Sequence, residues 1–211
     1  SILETLFIGP LKLIFEVIFS VANTFVGNPG LSIIFLSLVM NILVLPLYKR
    51  ADAMQEEARD TEEKLSKGVN HIKKVFSGDE RMMILQTYYR QNHYKPTDAL
   101  HGSVSLLLEI PFFMAAYQFL SHLEILNGVS LGPISDLGAP DGLLVIGSLA
   151  INVLPFLMTF VNVISSAIYL KGFPLKTKIQ LYAMALFFLV FLYTSPAGLV
   201  FYWTLNNVFS L

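Results

Sequence analysis

The chain has 211 residues, of which 55% are hydrophobic and 14% charged, with a mean hydropathy of +0.63. A soluble domain carries about 25% charged residues, so this chain cannot clothe a water-exposed surface of ordinary size, and much of it must face lipid. The net charge of −1 offers no basic face for nucleic acid, and the absence of cysteine excludes a disulfide scaffold, a thiolate metal site and a thiol nucleophile. Ser1 without a preceding Met, and Leu211 inside an apolar run, predict a natural chain that extends past both ends, with a signal segment before and a basic tail after.

Residues 1–26 form the first element. Glu4, Lys12 and Glu16 sit four to eight apart among Phe, Leu and Ile, which places them on one helical face. This predicts an amphipathic helix lying in the outer interface, with a further span as the alternative. Gly27-Asn28-Pro29-Gly30 breaks the apolar run, and residues 27–48 then hold the first transmembrane helix, Leu31 to Tyr48. Lys49 to Asp98 is different in kind, with ten Lys/Arg and nine Asp/Glu. Its apolar residues recur at Met54, Ala58, Leu65, Val69, Ile72 and Phe76 at gaps of three, four or seven, which is a helical seam. Ser77-Gly78-Asp79 signals a turn, and Glu80 to about Asn92 a second helix. Residues 49–98 therefore read as a soluble helical hairpin.

Residues 99–211 hold four more spans. Ala99 to Leu123 is interrupted by Glu109 and Pro111; Gly142 to Leu170 follows a Gly/Pro/Ser-rich loop at 127–141; Ile179 to Tyr193 and Ala197 to Leu211 are separated only by Thr194-Ser195-Pro196. The last two are short for an ordinary bilayer and predict local thinning or tilting. Thirteen of the fourteen Lys/Arg lie in 49–98 or at Lys171, Lys176 and Lys178. By the positive-inside rule the hairpin is cytoplasmic and the N-terminus outside. No internal repeat supports a transporter of the inverted-repeat kind.

No soluble-enzyme motif is present, and His71, His93, His101 and His122 show no metal-ligand pairing, so neither cofactor nor metal is expected. The informative residues are polar groups inside the spans. A charge at membrane depth is expensive, which makes Glu109 a functional candidate. Its bland alternatives are a protonated carboxyl bonded to a neighbouring helix, or a group wetted by a cavity. Asn152, Thr159, Asn162 and Ser166 share one stripe of the third span; Ser37 and Asn41 share a face of the first; Asn206 and Asn207 lie near Trp203 in the fifth. Such groups either glue helices together or line a wet cavity, and spacing alone leaves both open. The candidate set is Ser37, Asn41, Glu109, Asn152, Thr159, Asn162 and Trp203.

The run Pro196-Ala197-Gly198-Leu199-Val200-Phe201-Tyr202-Trp203-Thr204-Leu205-Asn206-Asn207 closely resembles the last-span signature of the YidC/Oxa/Alb membrane protein insertases. Gly27-Asn28-Pro29-Gly30-Leu31 with Leu45-Pro46-Leu47, and Lys95-Pro96, His101-Gly102 and Glu109-Ile110-Pro111-Phe112-Phe113, resemble that family's first and second core spans. The resemblance implies an all-α polytopic fold. Five transmembrane helices surround a hydrophilic groove, with an outer interfacial helix and a cytoplasmic helical hairpin. It implies an insertase or intramembrane chaperone, not a bond-making enzyme, in the bacterial inner (plasma) membrane. Its partners would be nascent or partner membrane proteins, the lipid bilayer, and the ribosome or a translocon. Four positions depart from the pattern: Ser103 and Ser105 stand where the family usually has Cys and Pro, and the other two bear on the groove. The place five residues before Pro46, where the family has an Arg that attracts client chains, holds Asn41, and Glu109 stands where Gln is usual. Loss of the cation favours an alternative, a non-inserting structural subunit that binds one dedicated membrane partner such as a transferase or exporter. A proton-coupled transporter built on Glu109 has weaker support, since no second buried titratable group accompanies it.

Overall fold

The computed structural model describes residues 2, 4–95, 98, 104–169, 171 and 175–209. They form seven α-helices and one short β-hairpin: α1 Gly9–Val26, α2 Pro29–Val75, α3 Gly78–Gln91, α4 Val104–Ser121, β1 Leu144–Ile146, β2 Leu149–Ile151, α5 Val153–Tyr169, α6 Leu175–Leu192 and α7 Ala197–Phe209. The chain divides into two compact units, residues 1–43 with 111–211, and residues 44–110.

In the larger unit, a π-helical turn at Glu4–Ile8 leads into α1, which ends where Gly27 adopts a left-handed conformation, φ +74°, and donates its N–H to the Asn23 carbonyl. Phe15 and Phe19 are the buried face of α1. The Phe15 ring meets Tyr202 of α7 edge-on at 5.7 Å, and Phe19 meets Phe119 of α4 at 5.7 Å. The opposite surface exposes Leu13, Val17, Val21 and Phe25. Among the described residues, two helices, Leu6–Val26 and Pro29–Val75, are long and apolar enough to cross a membrane, and Leu107–Ser121, Val153–Ile168 and Lys178–Leu192 are shorter apolar helices.

Asn28 starts α2: its Oδ1 accepts the N–H groups of Gly30 and Leu31 at 2.9 and 3.3 Å, satisfying donors that the first turn leaves orphaned. α2 and α7 run parallel. A Cβ on Gly198 would sit 3.4 Å from Ile33, and eight residues further along both helices Asn206 bonds Asn41. α5 packs against both α6 and α7. The end of the bundle where α2 and α7 begin is covered by residues 123–141. This loop buries Leu126, Ile134 and Leu137, lays Leu131 on Gly30, and offers the carbonyls of Ala139 and Leu137 to the N–H groups of Ala197 and Gly198, both at 2.8 Å. Asp136 holds the loop's own shape by accepting Gly128 and Gly138 N–H at 2.8 and 2.9 Å.

Two expectations need correction here. Residues 142–152 are not the opening turns of the third span. They form an antiparallel hairpin, with Ile146 opposite Leu149 across Gly147-Ser148 and Gly147 at φ +61°. A two-residue turn with glycine first is the hairpin geometry that this dipeptide favours. Helix α5 starts only at Val153, because the Asp141 carboxylate takes the N–H groups of Val153 and Leu154 at 2.6 and 3.0 Å. The helix that opens at Pro29 also does not end at Tyr48. α2 continues without a break through Pro46 to Val75, so the change of composition at Lys49 is no change of backbone.

In the smaller unit, Ala51, Ala58, Leu65 and Ile72 are buried at a strict seven-residue spacing. Tyr88 of α3 lies against Gly68, where any side chain would collide with its ring, and its hydroxyl reaches the Leu65 carbonyl at 3.5 Å. Arg81 caps the end of α2, its guanidinium donating to the carbonyls of Phe76 and Lys73, each at 2.9 Å. A cation there also meets the negative end of the helix dipole. Partial burial and the Glu62 carboxylate, 3.4 Å from its hydroxyl, raise the Tyr94 pKa above the ordinary tyrosine value. None of the residues of α3 is buried, against seven in α7. Amide hydrogen exchange in 49–91 should therefore be much faster than in 197–206; equal protection of the two would contradict this account of the hairpin.

Candidate functional site

Three polar side chains of the larger unit, Ser37, Asn41 and Asn206, meet between α2 and α7. Ser37 and Asn41 are one turn apart on α2 and share a face. The Asn41 amide donates to the Ser37 carbonyl at 2.7 Å and to Asn206 Oδ1 at 2.7 Å. The Ser37 hydroxyl donates to the same Asn206 oxygen at 3.1 Å. At about 1.5 Å per residue, Asn41 lies about 18 Å along α2 and Asn206 about 14 Å along α7. Ser37 is wholly buried, while Asn41 and Asn206 are half-buried. A second polar contact lies nearer the helix starts, where the buried Ser32 hydroxyl reaches Asn23 Oδ1 at 3.2 Å and the Asn28 carbonyl at 2.8 Å.

The other candidates make their contacts elsewhere. Asn152 precedes α5 and joins the ends of elements: its amide donates to the Tyr193 carbonyl at 2.9 Å, and its oxygen accepts Gly142 N–H at 3.0 Å. The Thr159 hydroxyl bonds back to the Pro155 carbonyl at 2.8 Å within its own helix. Asn162 is half-buried on α5, with no hydrogen bond among the described residues. Trp203, only 3% exposed, is part of an aromatic cluster and does not line an open surface. Its ring meets Phe113 edge-on at 4.9 Å and lies 6.0 Å from Phe188.

Glu109 belongs to the smaller unit. It is the sixth residue of α4, about 8 Å from Val104, so it sits in the second turn of the described helix and not at its middle. Tyr48 lies within electrostatic reach of its carboxylate, which accepts no hydrogen bond among the described residues.

Asn206 lies outside the set that spacing alone selects, and so does Asp141. The spacing of Ser37 and Asn41 predicts a shared face, but which helix supplies their partner depends on the parallel packing of α2 and α7. Asp141 carried a readable signal, an acidic residue shortly before an apolar helix. The intervening hairpin places it twelve residues from its nearer helix N-terminal contact, Val153.

Residues 21–211 match the model of a family described as the 60Kd inner membrane protein. The chain belongs to that family. It is 25% identical to a membrane protein insertase YidC of Treponema denticola, over 97% of this chain and 37% of that protein. It is 31% identical to the one of Magnetococcus marinus, over 90% and 32%. The chain thus spans about a third of the length of the curated relatives it matches. A crystal structure of an active YidC insertase, with its first transmembrane domain resolved, superimposes with a TM-score of 0.58 at 20% identity, covering all of this chain and 45% of that one. At that identity the likeness speaks for the fold: a mostly helical membrane protein of the 60Kd inner membrane protein family.

Proposed function

We propose that the chain is a membrane protein insertase and intramembrane chaperone of a bacterial inner membrane, which eases polar parts of other membrane proteins across the bilayer. The observation that carries this is the Ser37–Asn41–Asn206 cluster on otherwise apolar helices, in a chain whose named relatives are insertases. Carrying an unbonded polar group through hydrocarbon costs several kcal/mol. A row of amides and hydroxyls beside the path replaces part of the lost hydration, and the barrier falls without ATP or a covalent step.

In this reading, α2, α4, α5, α6 and α7 are the five spans around a hydrophilic groove, and α1 lies in the outer interface. The loop at 123–141 closes the outer end, and the hairpin of α2 and α3 stands in the cytoplasm. Asn41 makes the groove neutral where a cation would draw acidic client tails.

Asn41 and Glu109 favour one other reading, a non-inserting subunit held to a single membrane partner by a charge pair at Glu109. The two readings separate in a cell depleted of its own insertase. The full natural chain should restore growth, and no single protein should co-purify in equal amount. If growth fails and a stoichiometric partner appears, the subunit reading holds. In that case Glu109→Gln should weaken the pull-down by roughly a few hundredfold to a few thousandfold, as expected for breaking a buried charge pair; unchanged binding would end the charge-recognition idea.

A further inference from the structure

The hydrogen bonds at the Asn41–Asn206 contact fix how both amides are turned. The Ser37 main-chain carbonyl can only accept, so the group 2.7 Å from it must be the Asn41 NH2. That NH2 also meets Asn206, which must answer with its oxygen; the Ser37 hydroxyl, donating to the same atom, agrees. Neither side chain is therefore free to flip. The two remaining polar atoms are Asn41 Oδ1, an acceptor, and Asn206 Nδ2, a donor. Neither has a partner among the described residues, and neither is among the fully buried polar atoms, so both reach accessible surface. Left against lipid, each would cost free energy. An uncharged acceptor and an uncharged donor, one on each amide of the Asn41–Asn206 hydrogen bond, are the complement of a carboxamide, which offers one of each.

We infer that Asn41 Oδ1 and Asn206 Nδ2 form a neutral recognition pair for a carboxamide, that of an Asn or Gln in a client membrane helix. This rests on the insertase reading and names the client chemistry that the site prefers. A carboxylate fits worse, because it lacks the donor that Asn41 Oδ1 requires and sets a charge against it. An aliphatic side chain satisfies neither atom. Asn206→Asp is the discriminating variant: one carboxylate oxygen still accepts from Asn41 and Ser37, so the internal contacts persist, while the outward donor becomes an acceptor.

The chain has no cysteine, so Leu38→Cys, an exposed position one turn from Asn41, gives a single reporter thiol. The probe is a one-span leucine–alanine helix with one cysteine, its central residue being Asn, Leu or Asp, co-reconstituted with the full chain in vesicles and oxidised. The Asn client should form about five to ten times more cross-linked product than the Leu or Asp client, the effect expected of one or two intramembrane hydrogen bonds. In Asn206→Asp that preference should fall to about one. Equal yields from the Asn and Leu clients, preference for the Asp client, or a preference that survives Asn206→Asp would overturn the inference and leave the insertase reading standing. Absence of cross-linking with every client would overturn both.

Discussion

Asp141→Ala should lower the stability of the larger unit by about 2–4 kcal/mol. The Asp141 carboxylate is 8% exposed and accepts three main-chain N–H groups: Leu143 at 3.1 Å, Val153 at 2.6 Å and Leu154 at 3.0 Å. The last two open α5. Loss of an ordinary helix cap costs about 0.5–2 kcal/mol, and each buried N–H left without a partner adds about 1–3 kcal/mol. The anion also faces the positive end of the α5 dipole. Asp141→Asn keeps an acceptor oxygen but turns an NH2 toward a donor and loses the charge, so its cost should fall between wild type and Ala. Thermal unfolding in detergent gives the order wild type, Asn, Ala. An Asp141→Ala protein within about 0.5 kcal/mol of wild type would show that α5 starts without this carboxylate.

Gly198→Val should cost about 3 kcal/mol and Gly198→Ala about 1 kcal/mol. Gly198 lies where α7, α2 and the covering loop meet. A Cβ there would stand 2.9 Å from a Leu126 methyl, 3.1 Å from the Leu137 carbonyl oxygen and 3.4 Å from an Ile33 methyl. Leu126 can turn aside for one methyl group. The Leu137 oxygen cannot, since it is main chain and accepts the Gly198 N–H at 2.8 Å. A branched side chain therefore pushes the loop off the helix, within the usual range for overpacking. Equal stability of Gly198→Val and wild type would mean that the loop does not seat on α7.

The parts of the fold that could be read in the sequence are those where one local rule acts alone. Thr194-Ser195-Pro196 separates α6 from α7 as expected, and the seam through Ala58, Leu65 and Ile72 is buried as its spacing predicts. Residues 142–152 read as the opening of the third span because a short apolar run fits a helix and a pair of strands equally. Gly147-Ser148 between two apolar triplets was the signal that distinguished them. In the candidate site, Ser37 and Asn41 were legible as an i, i+4 pair. Asn206 as their partner was not, because it depends on how two helices 165 residues apart in sequence align. Asn152 and Trp203 carried the right chemistry in the wrong surroundings. Periodicity gives a residue's face on its own helix, but not what covers that face.

The insertase reading is tested most directly by purified full-length protein in vesicles free of other proteins. A one-span client with a short uncharged polar tail is added, and the tail's protection from external protease is followed. Protected tail should appear about ten times faster than in empty vesicles, a gain that needs only ~1.4 kcal/mol off the barrier. Asn41→Leu should remove most of it. Protection no faster than in empty vesicles, with the protein folded and correctly inserted, would contradict the account.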